Sequence, residues 1–452
     1  VRSSAASDVY KRQDTNVGNE SVDIQQQEPV EISELETTEN NDLSKSSESI
    51  TVDESIAEDI LATQADTAVV VGTVSDYLTA KGDAKLYNIN LPAGVYLQAQ
   101  LTTPANADLD YDLYLLDAEG NILTGSDYYT YINGTAGTLP EALGYITSGD
   151  TATYYLYVLA SEGGSVSESF TLDYSVSTAC DSYEIDESVR QALAFTYGAG
   201  GAYIESRNLS SPIDNDWYVI TVPSSRIYDK LKISATTAST NTCSVEVYQN
   251  VASEGYQMKR VGSGNTISVS SGKYYIRVSN AKTMENFDDL DIQNYKLSIT
   301  PILKATGIVI TDLKGSEGLN KVVNYPGYGA HFRTQGSGTL TVYGVLTATD
   351  SSTGVTYAVG GEQINGLYYS PAWEANNTSA NAIRRGTGTT DSSGKFEIDI
   401  SLPPGIGVYS YYGSTSTHYF DICGVSVSPS DDSSISASET IFHLAYTMYH
   451  PF

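Results

Sequence analysis

The same series of strand-like segments occurs twice in this sequence, and this repeat limits the folds open to the chain more than any other feature. Residues 85–92 and 216–223 both carry a tyrosine at the third position and a proline at the last. Further along, residues 154–158 and 274–278 both open with two tyrosines and close with a valine. A repeat of strand-like segments in the same order predicts two copies of one β-sandwich.

Alternation within these segments indicates strands rather than helices. Tyr154, Leu156 and Val158 would lie on one face of a strand, and the residues between them on the other. The chain has 36 tyrosines, 38 glycines and three methionines, which favours short strands joined by polar turns. Its 452 residues exceed the roughly 250 to 300 that one core covers. We predict an all-β protein made of tandem β-sandwich domains.

The first 65 residues differ from the rest in composition. Residues 1–13 are similar to a translated sequencing adaptor of the kind found on metagenomic fragments, so we exclude them from fold reasoning. Residues 14–65 contain no aromatic side chain, and between Asp14 and Asp59 fourteen acidic residues stand against one base, Lys45. This segment has too little apolar surface to offset chain entropy, so we expect a disordered acidic linker.

Short motifs in both copies carry a resemblance to a known family. They are residues 108–120 (Asp-Leu-Asp-Tyr-Asp-Leu-Tyr-Leu-Leu-Asp-Ala-Glu-Gly), 170–176, 181–186 (Asp-Ser-Tyr-Glu-Ile-Asp), 214–218 and 272–278. With these motifs the chain resembles the bacterial pre-peptidase C-terminal domain, a jelly-roll-like β-sandwich found behind secreted peptidases and akin to collagen-binding modules. The resemblance implies one such domain over 66–177 and a second over 178–302.

The rest of the chain, residues 303–452, has alternating runs of its own, such as 339–346. Residues 387–400 (Thr-Gly-Thr-Thr-Asp-Ser-Ser-Gly-Lys-Phe-Glu-Ile-Asp-Ile) are similar to the strand and turn pattern of bacterial Ig-like and transthyretin-like extracellular modules. We therefore expect a third, Ig-like β-sandwich over 303–452.

Charge and cysteine content narrow the class of protein. A net charge of −31 repels the phosphate backbone, so no nucleic-acid partner is expected. No run of 18 apolar residues is present, so no transmembrane segment is expected. Three cysteines are too few for a disulfide framework, and they are either buried or incidental thiols or include a Cys180 to Cys243 bridge. We expect a secreted or cell-surface bacterial protein whose signal peptide was lost with the true N-terminus.

The sequence contains none of the common hydrolase motifs. There is no HExxH, no GxSxG and no paired cysteine and histidine. Four histidines match no metal-ligand spacing, and we expect ordinary surface or core residues at His331, His418, His443 and His450. We predict a non-catalytic protein that binds an extracellular glycan or matrix protein. The alternative is a substrate-targeting or accessory region of a secreted peptidase or other hydrolase, whose catalytic domain is missing from this fragment.

Acidic residues at the start of the second copy predict a metal site formed by Asp181, Glu184, Asp186, Asp214 and Asp216. Calcium is the expected ion, because it takes six to eight hard oxygen ligands. The family resemblance implies that these two segments approach each other and hold calcium. The other interpretation is that such aspartates only cap turns and keep the surface soluble. The first copy offers a second set, Asp108, Asp110 and Asp112.

Two groups of tyrosines are candidate ligand-binding residues: Tyr128, Tyr129, Tyr131, Tyr409, Tyr411 and Tyr412. Their rigid, amphipathic rings stack on sugars or pack on extended peptides at a low entropy cost. Tyrosines on strands more often pack against cross-strand neighbours, and both interpretations remain open for these groups.

Overall fold

Nearly all of the regular structure is β-strand, and the prediction of an all-β protein is confirmed. The computed structural model describes residues 48–49, 69–106, 108–127, 129–132, 135–136, 139–178, 180–237, 243–252, 256–280, 293–315, 331–333, 338–376, 379–412 and 414–451. The predicted adaptor and, apart from 48–49, the predicted linker lie outside the described residues. The described chain divides into two units: unit one runs to residue 300 without 223–230 and 268–270, and unit two contains those segments and residues from 301 onward.

Unit one begins with a sandwich of two mainly antiparallel sheets. Its strands are β1 (Glu48–Ser49), β2 (Val69–Asp76), β3 (Ala84–Leu91), β4 (Tyr96–Thr102), β5 (Asp110–Leu116), β6 (Ile122–Ser126), β7 (Tyr129–Ile132), β8 (Thr135–Ala136), β9 (Glu141–Ile146), β10 (Ala152–Glu162) and β11 (Phe170–Ser177). The two sheets have the orders β1-β3-β10-β5-β6 and β2-β11-β4-β9. Their apolar faces meet in one core, in which Tyr154, Leu156 and Val158 of β10 are buried as their alternation predicts.

A second sandwich follows in the same unit. After a 3₁₀ turn over Val189–Gln191, its strands are β12 (Leu193–Ala194), β13 (Ala202–Leu209), β14 (Asn215–Val222), β15 (Tyr228–Thr237), β16 (Cys243–Asn250), β17 (Gln257–Ser263), β18 (Thr266–Ser268), β19 (Gly272–Asn280) and β20 (Gln293–Leu303). One sheet has the order β12-β14-β19-β16-β17-β7-β8 and the other β13-β20-β15-β18. The hydroxyls of Tyr218 and Tyr295 meet at 2.5 Å between these sheets.

The two sandwiches of unit one share a sheet. Strand β7, which comes from the first copy, pairs in parallel with β17 of the second, and Tyr129 lies opposite Gln257. Leu139 of the first copy belongs to the same buried cluster as Trp217 and Met258 of the second. The shared sheet and shared cluster therefore join the two copies in one unit, a connection that nothing in the repeat indicates.

Unit two contains a further sandwich. Its elements are β21 (Gly307–Gly315), β22 (His331–Arg333), β23 (Gly338–Thr349), β24 (Thr356–Ala358), β25 (Gln363–Tyr369), α1 (Pro371–Ala375), α2 (Ser379–Ala382), β26 (Ile383–Thr389), β27 (Lys395–Leu402), β28 (Tyr409–Tyr412), β29 (Ser416–Pro429) and β30 (Ala437–Tyr449). One sheet has the order β21-β23-β24, with β27 also on β23, and the other β22-β30-β29-β25-β26, with β28 also on β29. Val342, Ile398 and Val425 lie in the core between them.

Candidate metal centre

The segment that leads from the first sandwich into the second is acidic and buried. Glu184 is 8% exposed, Asp186 is fully buried, and Glu187 is 1% exposed. The backbone carbonyl of Asp186 accepts a hydrogen bond of 2.9 Å from the amide of Trp217, which holds the segment beside the start of β14. The segment therefore places its carboxylates next to those of β14.

The second group of acids is Asp214, on the loop before β14, and Asp216, the second residue of that strand. Asp214 is fully buried, and its Oδ2 accepts hydrogen bonds from the backbone amide and, at 2.8 Å, from the hydroxyl of Ser210. Asp216 points into the sandwich, where its Oδ2 accepts a hydrogen bond from the Tyr295 hydroxyl. These contacts fix one oxygen of each carboxylate.

Carboxylates from the two segments form two groups of three that share one residue. Glu184, Glu187 and Asp214 form one group, and Glu184, Asp186 and Asp216 form the other. Within each group the ligand oxygens lie within 4.8 Å of one another. Calcium holds its oxygens at about 2.3–2.6 Å, so oxygens on one ion lie at most about 5.2 Å apart, and both groups meet this limit.

A buried arginine neutralises one side of this cluster. Arg207 follows a bulge in β13, where Ser206 has a φ of +62°. Its guanidinium contacts Asp181 at 2.6 Å, Asp216 at 3.3 Å and also Asp186. These three acids therefore share one buried cation.

Within the described chain, no cation directly contacts the other side of the cluster, where Arg207 acts only through its charge. Among the described residues, no basic side chain forms an ion pair with Glu184, Glu187 or Asp214. Each has a buried oxygen without a hydrogen-bond partner, namely Glu184 Oε1, Glu187 Oε2 and Asp214 Oδ1; Asp186 Oδ1 and Asp216 Oδ1 also lack one, but those two carboxylates contact Arg207. A buried, ionised carboxylate is stable only when it is paired or bound to a metal, so these orphaned oxygens fit a divalent cation.

The first sandwich completes the surroundings of this group. The Tyr96 hydroxyl contacts Glu184 Oε2 at 2.8 Å and also reaches Glu187, and the side-chain amide of Gln98 donates to Glu187 Oε1 at 2.9 Å. Gly144 lies opposite Gln98 on β9, and a Cβ there would overlap the Glu187 carboxylate. The candidate centre therefore lies at the junction of the two sandwiches.

Burial changes the proton affinity of these carboxyls. It raises the pKa of Glu184 and Glu187 well above the usual glutamate value, and the neighbouring carboxylates, including Asp214, raise it further. Burial also raises the pKa of Asp214 to about 6. These carboxyls therefore bind protons more tightly than exposed ones do, and a bound cation has to replace those protons.

Comparisons with known proteins leave the family of this chain open. No family model matches the sequence. A stretch of 74 residues, 16% of the chain, is 36% identical to the uncharacterized protein YlqB of Bacillus subtilis (strain 168), and the match covers 46% of that protein. The chain thus spans less than half the length of the curated relative it matches.

Three solved structures resemble parts of the chain only slightly. They are PliG of Aeromonas hydrophila, a periplasmic inhibitor of g-type lysozyme (10% identity, 29% of this chain and 96% of that one, TM-score 0.17), the CUB1-EGF-CUB2 domains of human MASP-1/3 (11%, 51% and 99%, 0.16) and the CBM22 tandem of Paenibacillus barcinonensis Xyn10C (12%, 53% and 92%, 0.15). Likenesses this slight support no inference about a ligand.

The structure brings all five predicted metal ligands into one cluster and separates their roles. Asp181, Asp186 and Asp216 contact Arg207, Asp214 does not, and Glu184 belongs to both groups of three without an ion pair of its own. Glu187, which directly follows Asp186, was not among the predicted ligands. The chain turns into the 3₁₀ helix directly after Glu187, which brings it into the group.

The aspartates of the first copy form no comparable group in the described part of the chain. Burial raises the pKa of Asp110 to about 6 and that of Asp112 to about 7. Asp112 Oδ2 accepts hydrogen bonds from the hydroxyls of Ser161 and Tyr114. Its partners are hydroxyls rather than further carboxylates.

The structure describes the side chains of only one of the two predicted tyrosine groups. Tyr128 lies outside the described residues, and for Tyr129 and Tyr131 only the backbone is described, on strand β7. Tyr409, Tyr411 and Tyr412 lie on β28, where every residue is exposed. Tyr412 is 72% exposed, Tyr409 49% and Tyr411 45%.

The described histidines make separate local contacts. His443 is fully buried and its Nδ1 lies 2.9 Å from the Tyr368 hydroxyl, while His418 contacts Ser416 and Thr447, and His450 contacts Thr417. The side chain of His331 lies outside the described residues.

Cys180 and Cys243 are not joined by a disulfide, so the structure does not have the bridge that the sequence left open. Cys180 is exposed and Cys423 is buried. In the part of the chain that the structure describes, every helix is too short or too polar to cross a membrane.

Proposed function

We propose that this chain is a non-catalytic, secreted or cell-surface binding protein whose first two sandwiches are locked together by a buried calcium ion. One observation carries the proposal: Glu184, Glu187 and Asp214 converge in a buried site, each with an unpartnered oxygen. A bound divalent cation would supply a direct counter-charge there, since Arg207 lowers the pKa of these carboxyls through its charge but forms an ion pair with none of them.

Calcium suits this site better than magnesium. The three carboxylates come from an irregular segment and a loop, and Ca²⁺ accepts irregular arrangements of six to eight oxygens. Magnesium demands a near-ideal octahedron, which carboxylates from an irregular segment and a loop are less suited to provide. Extracellular calcium modules work with dissociation constants of about 0.1–1 mM, which is consistent with a protein outside the cell.

The site supports a structural role rather than a catalytic one. Its carboxylates are at most 8% exposed, so a substrate cannot reach them without opening the junction. Tyr96 and Gln98 of the first sandwich hold two of them from one side, and Ser210 of the second holds Asp214 from the other. A calcium ion that neutralised this group would therefore fix one sandwich against the other. The joined sandwiches would then present a rigid surface to a glycan or protein ligand.

The test is calorimetric titration of Ca²⁺ into the whole, metal-free chain, followed by thermal melting with Ca²⁺, Mg²⁺ or EDTA. At a free Ca²⁺ concentration about one hundred times the dissociation constant, the folded state gains about 2.7 kcal/mol, which raises Tm by about 5–10 °C. We expect Mg²⁺ to give a smaller rise.

Variants locate the site. Glu187→Gln and Asp214→Asn should remove the Ca²⁺-dependent rise in Tm. Glu205→Gln is the matched control, since it removes an exposed carboxylate of the same sandwich that pairs with Lys296. No heat of binding and no change in Tm for the unaltered chain would refute the calcium proposal.

A further inference from the structure

One end of unit two presents aromatic side chains on the outer face of a three-stranded segment. Directly opposite residues of antiparallel strands share a face. On this face Tyr409 lies opposite Phe420, Tyr411 lies opposite His418, and Tyr449 lies opposite Ser416. We call Tyr409, Tyr411, His418, Phe420 and Tyr449 the tyrosine platform.

The platform is exposed and partly preassembled. Tyr409, Tyr411 and Tyr449 are 49%, 45% and 70% exposed. The rings of Tyr409 and Phe420 stack with centroids 6.0 Å apart and an angle of 28° between their planes. Single exposed aromatic side chains are common on protein surfaces, whereas several of them on one exposed face mark an interaction surface.

The platform stands out because it carries no formal charge. Residues 401–420 and 440–452 contain no Lys, Arg, Asp or Glu, although the whole chain has a net charge of −31. An acidic polymer would be repelled by the chain as a whole, and a basic one would find no carboxylate on the platform. An uncharged surface is complementary to an uncharged ligand.

The platform is nevertheless not purely apolar. His418 lies between two hydroxyls, with Nδ1 3.0 Å from Thr447 Oγ1 and Nε2 3.2 Å from Ser416 Oγ. Each tyrosine ring also ends in a hydroxyl. Flat aromatic faces bordered by hydroxyls and an imidazole match a sugar ring, which has an apolar C–H face and hydrogen-bonding edges.

The strand that carries two of the tyrosines is held from behind. The buried Asp421 carboxylate accepts hydrogen bonds from the backbone amides of Ile406, Gly407 and Val408 at 2.5, 2.9 and 3.0 Å. These residues directly precede β28. A fixed strand presents its rings without an additional ordering cost on binding.

We propose that the tyrosine platform binds a neutral polysaccharide. This inference rests on the proposed role as an extracellular binding protein and names the class of ligand for unit two. It assigns Tyr409 and Tyr411 to one binding face, and it leaves Tyr412, which alternates to the opposite face of β28, outside it.

The test is electrophoresis of the whole chain, with Ca²⁺ present, through native gels that contain soluble xylan, galactomannan, mixed-linkage β-glucan or acidic polygalacturonate. We expect at least one neutral polymer, and not polygalacturonate, to slow the protein. The double variant Tyr409→Ala/Tyr411→Ala should bind at least about tenfold more weakly, since truncating aromatic anchors costs about 1–2 kcal/mol or more. Met448→Ala is the matched control, because Met448 is exposed on the opposite face, across from Thr417.

Each other outcome overturns the proposal. No retardation by the neutral polymers refutes the platform, and a normal Ca²⁺-dependent rise in Tm in the same sample leaves the calcium proposal intact. Equal retardation of the double variant moves binding to another surface. A dimer in sedimentation experiments that the double variant abolishes would identify the platform as a contact between copies of this chain.

Discussion

The hydroxyl of Tyr96 lies 2.8 Å from Oε2 of Glu184, and this contact joins the two sandwiches of unit one at the acidic cluster. Tyr96 is on β4, in a sheet of the first sandwich, whereas Glu184 belongs to the segment that opens the second. The same hydroxyl also reaches Glu187. A single side chain thus orients two of the three carboxylates in the proposed calcium site, and the stability of the junction depends on their charge.

Replacing Tyr96 with Phe should weaken calcium binding. The loss of a hydrogen bond to an ionised carboxylate costs about 1.5–3 kcal/mol, which corresponds to a dissociation constant at least about tenfold higher. Calorimetric titration of Tyr96→Phe measures this change, and Tyr77→Phe, at a 43% exposed tyrosine of the same sandwich, is the control. An unchanged dissociation constant would show that the Tyr96 hydroxyl does not act on the site.

The stabilisation by calcium should increase with pH. A carboxyl whose pKa is raised on folding stabilises the folded chain while it is protonated. That contribution is present below the unfolded pKa of about 4 and is lost as the pH rises through the folded pKa. For Asp214 the folded pKa is about 6, and for Glu184 and Glu187 it lies well above the usual value.

The metal-free chain in EDTA should therefore lose stability as the pH rises from about 4 through 6 and beyond. Calcium must displace the protons, so its effect on Tm should be small near about pH 5 and larger near about pH 8. Melting curves with Ca²⁺ and with EDTA across this range measure both trends. An effect of calcium that is the same at both ends would contradict the proposed ligands.

Replacing Arg207 with Met should destabilise unit one whether or not calcium is present. Arg207 is fully buried and contacts three acids, and removing one partner of a buried ion pair costs about 3–5 kcal/mol. Urea unfolding in Ca²⁺ and in EDTA measures the loss. Arg260→Met is the control, because Arg260 forms a partly exposed pair with Glu246 whose loss costs about 1 kcal/mol or less. If calcium restored the stability of Arg207→Met, the division of the cluster into an arginine side and a metal side would be wrong.

Replacing Asp421 with Asn should weaken polysaccharide binding without changing any side chain of the platform. The amide has one acceptor oxygen where the carboxylate has two, so the amides of residues 406–408 lose part of their anchor, at a cost of about 1–3 kcal/mol. Affinity electrophoresis should show weaker retardation, and melting a lower stability of unit two. Asp399→Asn, at an exposed carboxylate of β27, removes the same charge and should leave both unchanged. Full retardation of Asp421→Asn would mean that β28 needs no anchor.

Local pattern was enough to predict much of the fold. The alternation in β10 placed Tyr154, Leu156 and Val158 on one face of a strand, and the structure buries that face in the core. The turn after β5 also follows local geometry, since Gly120 has a φ of +85° and its amide donates to the carbonyl of Asp117. These features depend on neighbouring residues and on strand geometry, so a sequence reveals them. The junction of the two copies depends on β7 crossing to β17, and no local pattern encodes such a pairing.

The sequence by itself determined that acidic residues gather at the start of the second copy, because their positions along the chain can be counted directly. Only the tertiary structure decided that Arg207 neutralises Asp181, Asp186 and Asp216, and that Glu187 joins Glu184 and Asp214 instead. The physical reason is that a carboxylate's role depends on which distant side chains reach it and on how completely they exclude water. Both depend on how the two sandwiches pack together rather than on spacing along the chain.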